Sequence, residues 1–312
     1  MIGGVRVGHF QRIEDGWATG TTVILFPEGT TGGVDSRGGA PGTRETDLLA
    51  PENLVQHIDA VCLSGGSAYG LAAADGVMRW LSERDRGFRV GAAPHEVVPI
   101  VPAAVLFDLP RSAWGNRPDA SFGYQACESA VSGEVVEGCV GAGTGAKVGS
   151  LKGGIGTATL TADGFTVGAL AAVNAAGEFV GLQDPQTPPS VGLEDPQTRS
   201  PLNTTIGVVA VDARLSKAEC RRIAMSAHDG LARTIHPAHS MFDGDTIFAA
   251  ATGAKDLPAD PVMRVLAFNN LCTVAADAFA EAIRNGVRAA TSLAGLSSYR
   301  DLSQTGTDAS TP

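Results

Sequence analysis

An α/β fold follows from three features of this 312-residue sequence. Short runs of β-branched and small apolar residues alternate with longer stretches whose apolar positions repeat at helical spacing. Hydrophobic residues make up 44% of the chain, enough to bury a substantial core as one large domain or two small ones. Aromatics supply only 5% while there are 40 glycines, a composition suited to sheets and helices that pack closely and turn tightly.

Residues 5–7, 19–26 and 32–37 predict strands joined by polar turns. The glycine-rich stretch 38–46 follows; glycine permits positive φ and close backbone approach, so this loop is fit to wall a pocket or merely to connect. Residues 58–64 read as a short buried strand. After Gly65-Gly66-Ser67-Ala68-Tyr69-Gly70 comes a helix over 71–84, with an apolar face at Leu71, Ala74, Val77, Met78 and Leu81. Strand, glycine turn and helix form the setting of a nucleophile elbow, but G-x-S-x-G fails because Tyr69 takes the last glycine position. A helix cap is the plainer reading of Ser67.

The apolar stretch 97–108 is interrupted by Pro99 and Pro102, which marks an edge strand or a pocket wall. A helix is predicted over 123–132. Gly141-Ala142-Gly143-Thr144-Gly145-Ala146-Lys147 approaches a phosphate loop without meeting it, since Ala146 precedes the lysine and Val148 follows it. A dinucleotide fingerprint fails for want of a third glycine at the required spacing. Residues 165–174 predict a core strand ending in Asn174, whose amide can donate to a developing oxyanion or start the next turn.

Residues 183–203 differ from their surroundings. Gln183-Asp184-Pro185-Gln186-Thr187 nearly recurs as Glu194-Asp195-Pro196-Gln197-Thr198, and Pro188, Pro189 and Pro201 add to a loose, exposed segment. It leads to Asn203, and from Thr204 onward the residues are small or β-branched, a buried strand over 205–211. A hydroxyl therefore stands where loop becomes strand. If the Asn203–Thr204 bond opens, Thr204 carries a free α-amine beside that hydroxyl, nucleophile and general base in one residue. An α-amine ordinarily titrates near ~7.7–8.0, so a useful fraction is neutral at physiological pH. Threonines also begin strands through β-propensity alone.

Ser216 with Glu219 three residues on predicts a capping box for a helix to about Ala232. Asp243-Gly244-Asp245 places two carboxylates around a glycine just before an apolar strand, an arrangement that ordinary turn chemistry also produces. Residues 262–289 form a long helical pattern that admits a break at its middle, and 297–312 read as a disordered tail.

The formal charge of −10 gives no long-range attraction for nucleic acid or an anionic membrane surface, which leaves small molecules or peptides as expected partners. Cys62, Cys127, Cys139, Cys220 and Cys272 are dispersed without a C-x-x-C pair, the pattern of reduced thiols in a cytoplasmic protein. No segment reads as long and apolar enough to span a bilayer.

Three stretches together, Asn203-Thr204-Thr205-Ile206, Met241-Phe242-Asp243-Gly244-Asp245-Thr246 and the Gly141 to Lys147 loop, resemble those of the self-processing N-terminal-nucleophile hydrolases. That family includes the DmpA-type aminopeptidases, the β-aminopeptidases and the nylon-oligomer hydrolase; Gly65 to Leu71 supports the likeness, which runs from Gly4 to the final helix. The resemblance implies an αββα four-layer sandwich in a single hydrolase domain that cuts itself into residues 1–203 and 204–312, with 183–203 a flexible segment before the cut. Thr204 matches the nucleophile, Asp243 and Asp245 the pair that orients and activates it, Lys147 a lysine near it, and Asn174 an asparagine of the oxyanion site. In the uncut chain Asp243, Asp245 or Lys147 would deprotonate the Thr204 hydroxyl. The paired aspartates, the threonine and the lysine resemble the nylon-oligomer branch most.

Phe107 stands where that branch has a tyrosine, and Pro102-Ala103-Ala104 offers no counterpart of the glutamate with which the aminopeptidase branch anchors a substrate amine. Phe107 and Tyr69 are the candidate substrate contacts. The resemblance further implies a small peptide or amide substrate, no cofactor, no metal, and a homo-oligomer of four cleaved units. Two other readings stand beside it: a metal-dependent hydrolase using His228, His236 and His239 with Asp243 or Asp245, and a non-processing binding or scaffold protein of the same fold.

Overall fold

In the computed structural model, which describes residues 2–180 and 202–301, the apolar runs pair into two five-stranded sheets. The proposed flexible segment lies outside the described residues as far as 201, and so does the predicted tail beyond 301. The chain opens with β1 (Arg6–Arg12), β2 (Thr19–Leu25), β3 (Thr31–Ser36), β4 (Thr43–Arg44) and β5 (Ala60–Ser64), followed by α1 (Ala73–Ser82). A two-residue ribbon, β6 (Phe88–Arg89) with β7 (Val97–Val98), precedes β8 (Ala103–Val105) and α2 (Ala120–Glu128). A second ribbon, β9 (Lys147–Val148) with β10 (Leu151–Lys152), leads to β11 (Ile155–Ala162), β12 (Phe165–Ala172) and β13 (Glu178–Phe179). After the undescribed stretch come β14 (Ile206–Ala213), α3 (Lys217–Ala232), β15 (Ile235–His236), β16 (Thr246–Lys255) and α4 (Pro261–Ala289).

The first sheet has the order β1-β2-β5-β8-β4 and the second β11-β12-β14-β16-β3. Side chains alternate across each sheet, and both faces are used. Ile24, Val61 and Leu63 of the first sheet share one core with Leu170, Val208 and Phe248 of the second. Their neighbours point outward: Val23 and Cys62 pack against Val77 and Leu81 of α1 and Cys127 of α2. On the far side Val167, Val209 and Ile247 pack against Ile223 of α3 and Leu271 and Phe279 of α4. This is the αββα four-layer sandwich that the resemblance implied. Full burial of each such side chain contributes about 1.5–3 kcal/mol. β14 is buried at every position, which is why Ile206 to Val211 reads as an apolar run up to the buried Asp212.

Several expectations need correction. β8 lies inside its sheet between β5 and the two-residue β4, not at an edge; Pro102 precedes it, where no ladder hydrogen bond is lost. β11 was not anticipated, because its residues are mostly small and hydroxylic. Ser67 is not a cap: it has φ +52, begins a 3-10 turn over Ser67–Ala72, and the cap position is Gly66. α4 is unbroken, started by Pro261 and by the Asp260 carboxylate accepting from the Val262 and Met263 N–H groups. By length and composition α4 would also suffice to cross a membrane, contrary to the sequence reading. Its packing along β11, β12 and α3 gives that apolar composition another use. Residues 297–301, assigned to a tail, are packed: Ser298 is buried, the Ser297 carbonyl accepts from Lys152 N–H, and Tyr299 meets Phe179 edge-on.

Candidate active site

β14 and β16 run parallel as neighbours, so the segments that enter them lie side by side. This register places Asn203-Thr204-Thr205 against Asp243-Gly244-Asp245. Asn203 N–H donates to Phe242 O at 3.1 Å, Gly244 N–H to Asn203 O at 3.0 Å, and Thr246 N–H to Thr205 O at 3.2 Å, a parallel ladder continued past both strand ends. On the opposite flank the glycine-rich loop after β3 closes on the acidic turn. Arg37 N–H donates to Asp245 O at 3.0 Å and Ala40 N–H to Asp243 O at 2.9 Å. A Cβ at Gly38 would lie 2.1 Å from Asp243 O, so glycine there is a steric requirement.

Thr204 is buried, 5% exposed, and each polar group around its peptide bond has a partner. Its N–H donates to the main-chain oxygen of Asn174 at 2.6 Å. Its hydroxyl donates to Asn203 O at 2.5 Å and accepts from Gly244 N–H at 3.2 Å. One N–H, that of Gly244, thus faces both the carbonyl oxygen before Thr204 and the hydroxyl that would attack it.

The two carboxylates are buried and fully engaged. Asp243 accepts from Ala176 N–H at 3.2 Å through Oδ1 and from the Ser240 N–H and hydroxyl at 2.9 and 2.6 Å through Oδ2. Burial, with the neighbouring charge of Asp245, holds the Asp243 carboxyl above the usual carboxylate range; the Ser240 and Ala176 donors oppose that shift. Asp245 accepts from Thr205 N–H at 2.8 Å through Oδ1, and its Oδ2 faces His239 Nδ1 at 2.8 Å. The residues on either side of Thr204 are therefore tied to the turn that carries both anions, Asn203 through Phe242 O and Gly244 N–H and Thr205 through the Asp245 carboxylate.

Asn174 follows β12 and touches Thr204 through its backbone. Its side-chain Oδ1 accepts from Lys147 N–H at 2.9 Å, while Nδ2 donates to Phe107 O at 3.3 Å. Lys147 and Phe107 thus meet at the Asn174 side chain, whose amide is set by these two backbone partners. Tyr69 stands apart: it is half-exposed, with the Arg117 guanidinium 3.7 Å over its ring.

Asp108, next to Phe107, braces this end of the site. It accepts from Thr19 Oγ1 and from Gly66 N–H, each at 2.6 Å, and burial pushes its carboxyl up to about 6. Nearby Lys152, wholly buried, donates to Gly143 O at 2.8 Å and Gly153 O at 2.7 Å, and burial pushes it down to about 8. Between pH 3.8 and about 6 the folded protein binds more protons at Asp108 than the unfolded chain, so this group lowers stability as pH rises through that window. The full cost, on the order of 3 kcal/mol, is in place above pH about 6. Asn at this position still accepts from Gly66 N–H and can donate to Thr19. Asp108→Asn in an uncut Thr204→Ala chain is therefore expected to flatten the thermal midpoint between pH 4 and 7 and to leave it equal or higher at pH 7. A midpoint that keeps the wild-type slope would count against this account.

The histidines considered as metal ligands do not converge. His236 pairs with Glu178 in the β13–β15 ribbon, while His228 and His239 pack edge-on at 4.8 Å; among the described residues no three His, Cys, Asp or Glu side chains form a metal-holding group. Sequence reasoning missed three participants: Ser240, His239 and the N–H of Gly244. His239 stands six residues before Asp245, a spacing at which one turn returns its ring to that carboxylate. The Gly244 N–H carried no signal, since any non-proline residue supplies one.

Residues 2–300 match the model of Peptidase family S58. An uncharacterized aminopeptidase of Mycobacterium tuberculosis is 51% identical over 340 residues, covering 96% of this chain and 96% of the relative. The 6-aminohexanoate-oligomer endohydrolase of Kocuria sp. is 33% identical over 282 residues, covering 83% of this chain and 76% of the relative. Among solved structures, the L-aminopeptidase D-Ala-esterase/amidase of Ochrobactrum anthropi, a variant of the Ntn hydrolase fold, superposes with a TM-score of 0.71 over 93% of this chain and 85% of that one, at 22% identity.

Proposed function

This chain belongs to peptidase family S58, and from that premise we propose that it is a self-processing amide or peptide hydrolase with Thr204 as its amino-terminal nucleophile. The observation that carries the reading is the Thr204 hydroxyl, buried against the Asn203 carbonyl with Gly244 N–H on the same oxygen.

Attack by Thr204 Oγ1 on the Asn203 carbonyl carbon forms the C–O bond, and the Gly244 N–H then faces the oxyanion. Collapse breaks the C–N bond, the Thr204 nitrogen takes up the proton released from the hydroxyl, and an ester remains. Water hydrolyses that ester to leave a carboxylate on Asn203 and a free amine on Thr204. Asp243, whose carboxyl is held above the usual carboxylate range by burial and by Asp245, is a candidate to pass that proton, beside Asp245 and Lys147. In the mature site the amine keeps the Asn174 carbonyl as an acceptor and serves as general base for the same hydroxyl, now directed at a substrate amide.

The relatives bracket the substrate, with an aminopeptidase at one end and an endohydrolase of 6-aminohexanoate oligomers at the other. Small peptides and linear amide oligomers are the substrates to assay first. Mass measurement of active protein in denaturant should give two chains, 1–203 and 204–312, the second of 312 − 203 = 109 residues and starting Thr-Thr-Ile-Gly. Active material consisting of one uncut chain would sink the reading and leave a non-processing role in its place.

A further inference from the structure

A cut before Thr204 leaves its new terminus tethered on one side only, so something must hold the next residue in place. Two bonds do: Thr246 N–H to Thr205 O at 3.2 Å, and Thr205 N–H to Asp245 Oδ1 at 2.8 Å. The second is only as firm as the Asp245 side chain. Its other oxygen, Oδ2, receives His239 N–H at 3.2 Å and faces His239 Nδ1 at 2.8 Å. We propose that His239 is a positioning residue, which fixes the Asp245 carboxylate so that Thr205, and with it the amino-terminal Thr204, stays aimed after self-cleavage. The proposal rests on the reading of Thr204 as nucleophile for its catalytic consequence, though not for the anchoring itself.

The environment of the ring supports this role. His239 has φ +57, a left-handed backbone that turns both its N–H and its ring toward Asp245. Behind it, His228 of α3 packs edge-on at 4.8 Å, is wholly buried, and directs Nε2 at Asp35 O of β3 at 3.0 Å. With the His228 proton on Nε2, and burial pushing that imidazole down to about 4, it meets His239 as a neutral ring. His239 Nε2 has no partner among the described residues, so the proton belongs on Nδ1, facing Asp245. The charged groups around the pair are Asp245 and Asp243 in the same turn, Asp35 and Arg37 at the end of β3, and Asp229 on α3, which Arg37 meets at 3.7 Å. The anchor runs from β14 through the turn to α3 and β3, four elements that self-cleavage leaves intact.

The test compares two variants that both tolerate positive φ: His239→Gly, which removes the ring donor, and His239→Asn, which supplies an amide donor. Amide hydrogen exchange reads the anchor directly, whether or not the protein is an enzyme. In His239→Gly the Thr205 N–H should lose roughly 10-fold or more of its protection while amides of β1 and β2 keep theirs, and His239→Asn should restore it. On mature protein, His239→Gly should lower kcat by roughly 10-fold, and His239→Asn should recover most of that loss together with the Thr205 protection. Equal Thr205 protection in all three proteins would overturn the proposal. A Thr204→Ala control with undiminished activity would overturn the nucleophile reading and leave the exchange result to decide the anchoring.

Discussion

Thr204→Ala should remain one chain of 312 residues and lose hydrolysis by roughly 10⁴-fold or more, the scale on which removal of a nucleophile acts. The substitution takes away only the hydroxyl and a methyl group. Thr204 N–H still reaches Asn174 O, Gly244 N–H still reaches Asn203 O, and the ladder between the entries of β14 and β16 is untouched. The fold should therefore persist, which a thermal midpoint near that of freshly made wild-type protein would verify. Thr204→Ser restores a hydroxyl at the same place and should restore both cutting and turnover. A fully processed, active Thr204→Ala protein would remove this residue from the chemistry.

Gly244→Ala should slow self-cleavage by roughly 10²–10³-fold, the effect of losing one oxyanion donor, about 2.7–4 kcal/mol of barrier. A Cβ there would lie 2.6 Å from Ala40 O and 2.7 Å from Thr204 Oγ1. Neither neighbour can yield freely: Ala40 is held through its N–H on Asp243 O, and the threonine hydroxyl is the attacking group itself. The turn must shift, and its N–H leaves the Asn203 oxygen. Precursor decay followed by denaturing electrophoresis measures the effect. Decay at the wild-type rate would mean that this N–H does not face the developing charge.

What could be read beforehand divides along the range of the interactions. β14 was legible because burial on both faces leaves an apolar run from Ile206 to Val211, and the Ser216–Glu219 capping box because its two hydrogen bonds close within four residues. The acidic turn was visible as Asp-Gly-Asp. By contrast, Asn174 meets Thr204 with its main-chain oxygen, while the side chain that drew notice bonds Lys147 and Phe107. Nothing in the identity of a residue announces the use of its backbone carbonyl. β11 stayed hidden for a related reason: Gly156 and Ala158 lie under α4, where contact depends on closeness of approach and not on bulk. Ser240 and His239 are hidden because a turn's composition shows its shape and not which side chain returns to which carboxylate.

The strand order of the second sheet governs what the proposed cut can do to the molecule. β11, β12 and β3 belong to residues 1–203, while β14 and β16 belong to 204–312, and the order β11-β12-β14-β16-β3 threads the shorter piece between strands of the longer one. Neither piece can leave without stripping a sheet of its interior, so a matured molecule should travel as one particle in any native separation. Its folding, however, becomes a one-way event. Once unfolded, two pieces must find each other in solution and interdigitate, a concentration-dependent task that the unbroken precursor never faced, and the endurance of the mature form then rests on how slowly it comes apart.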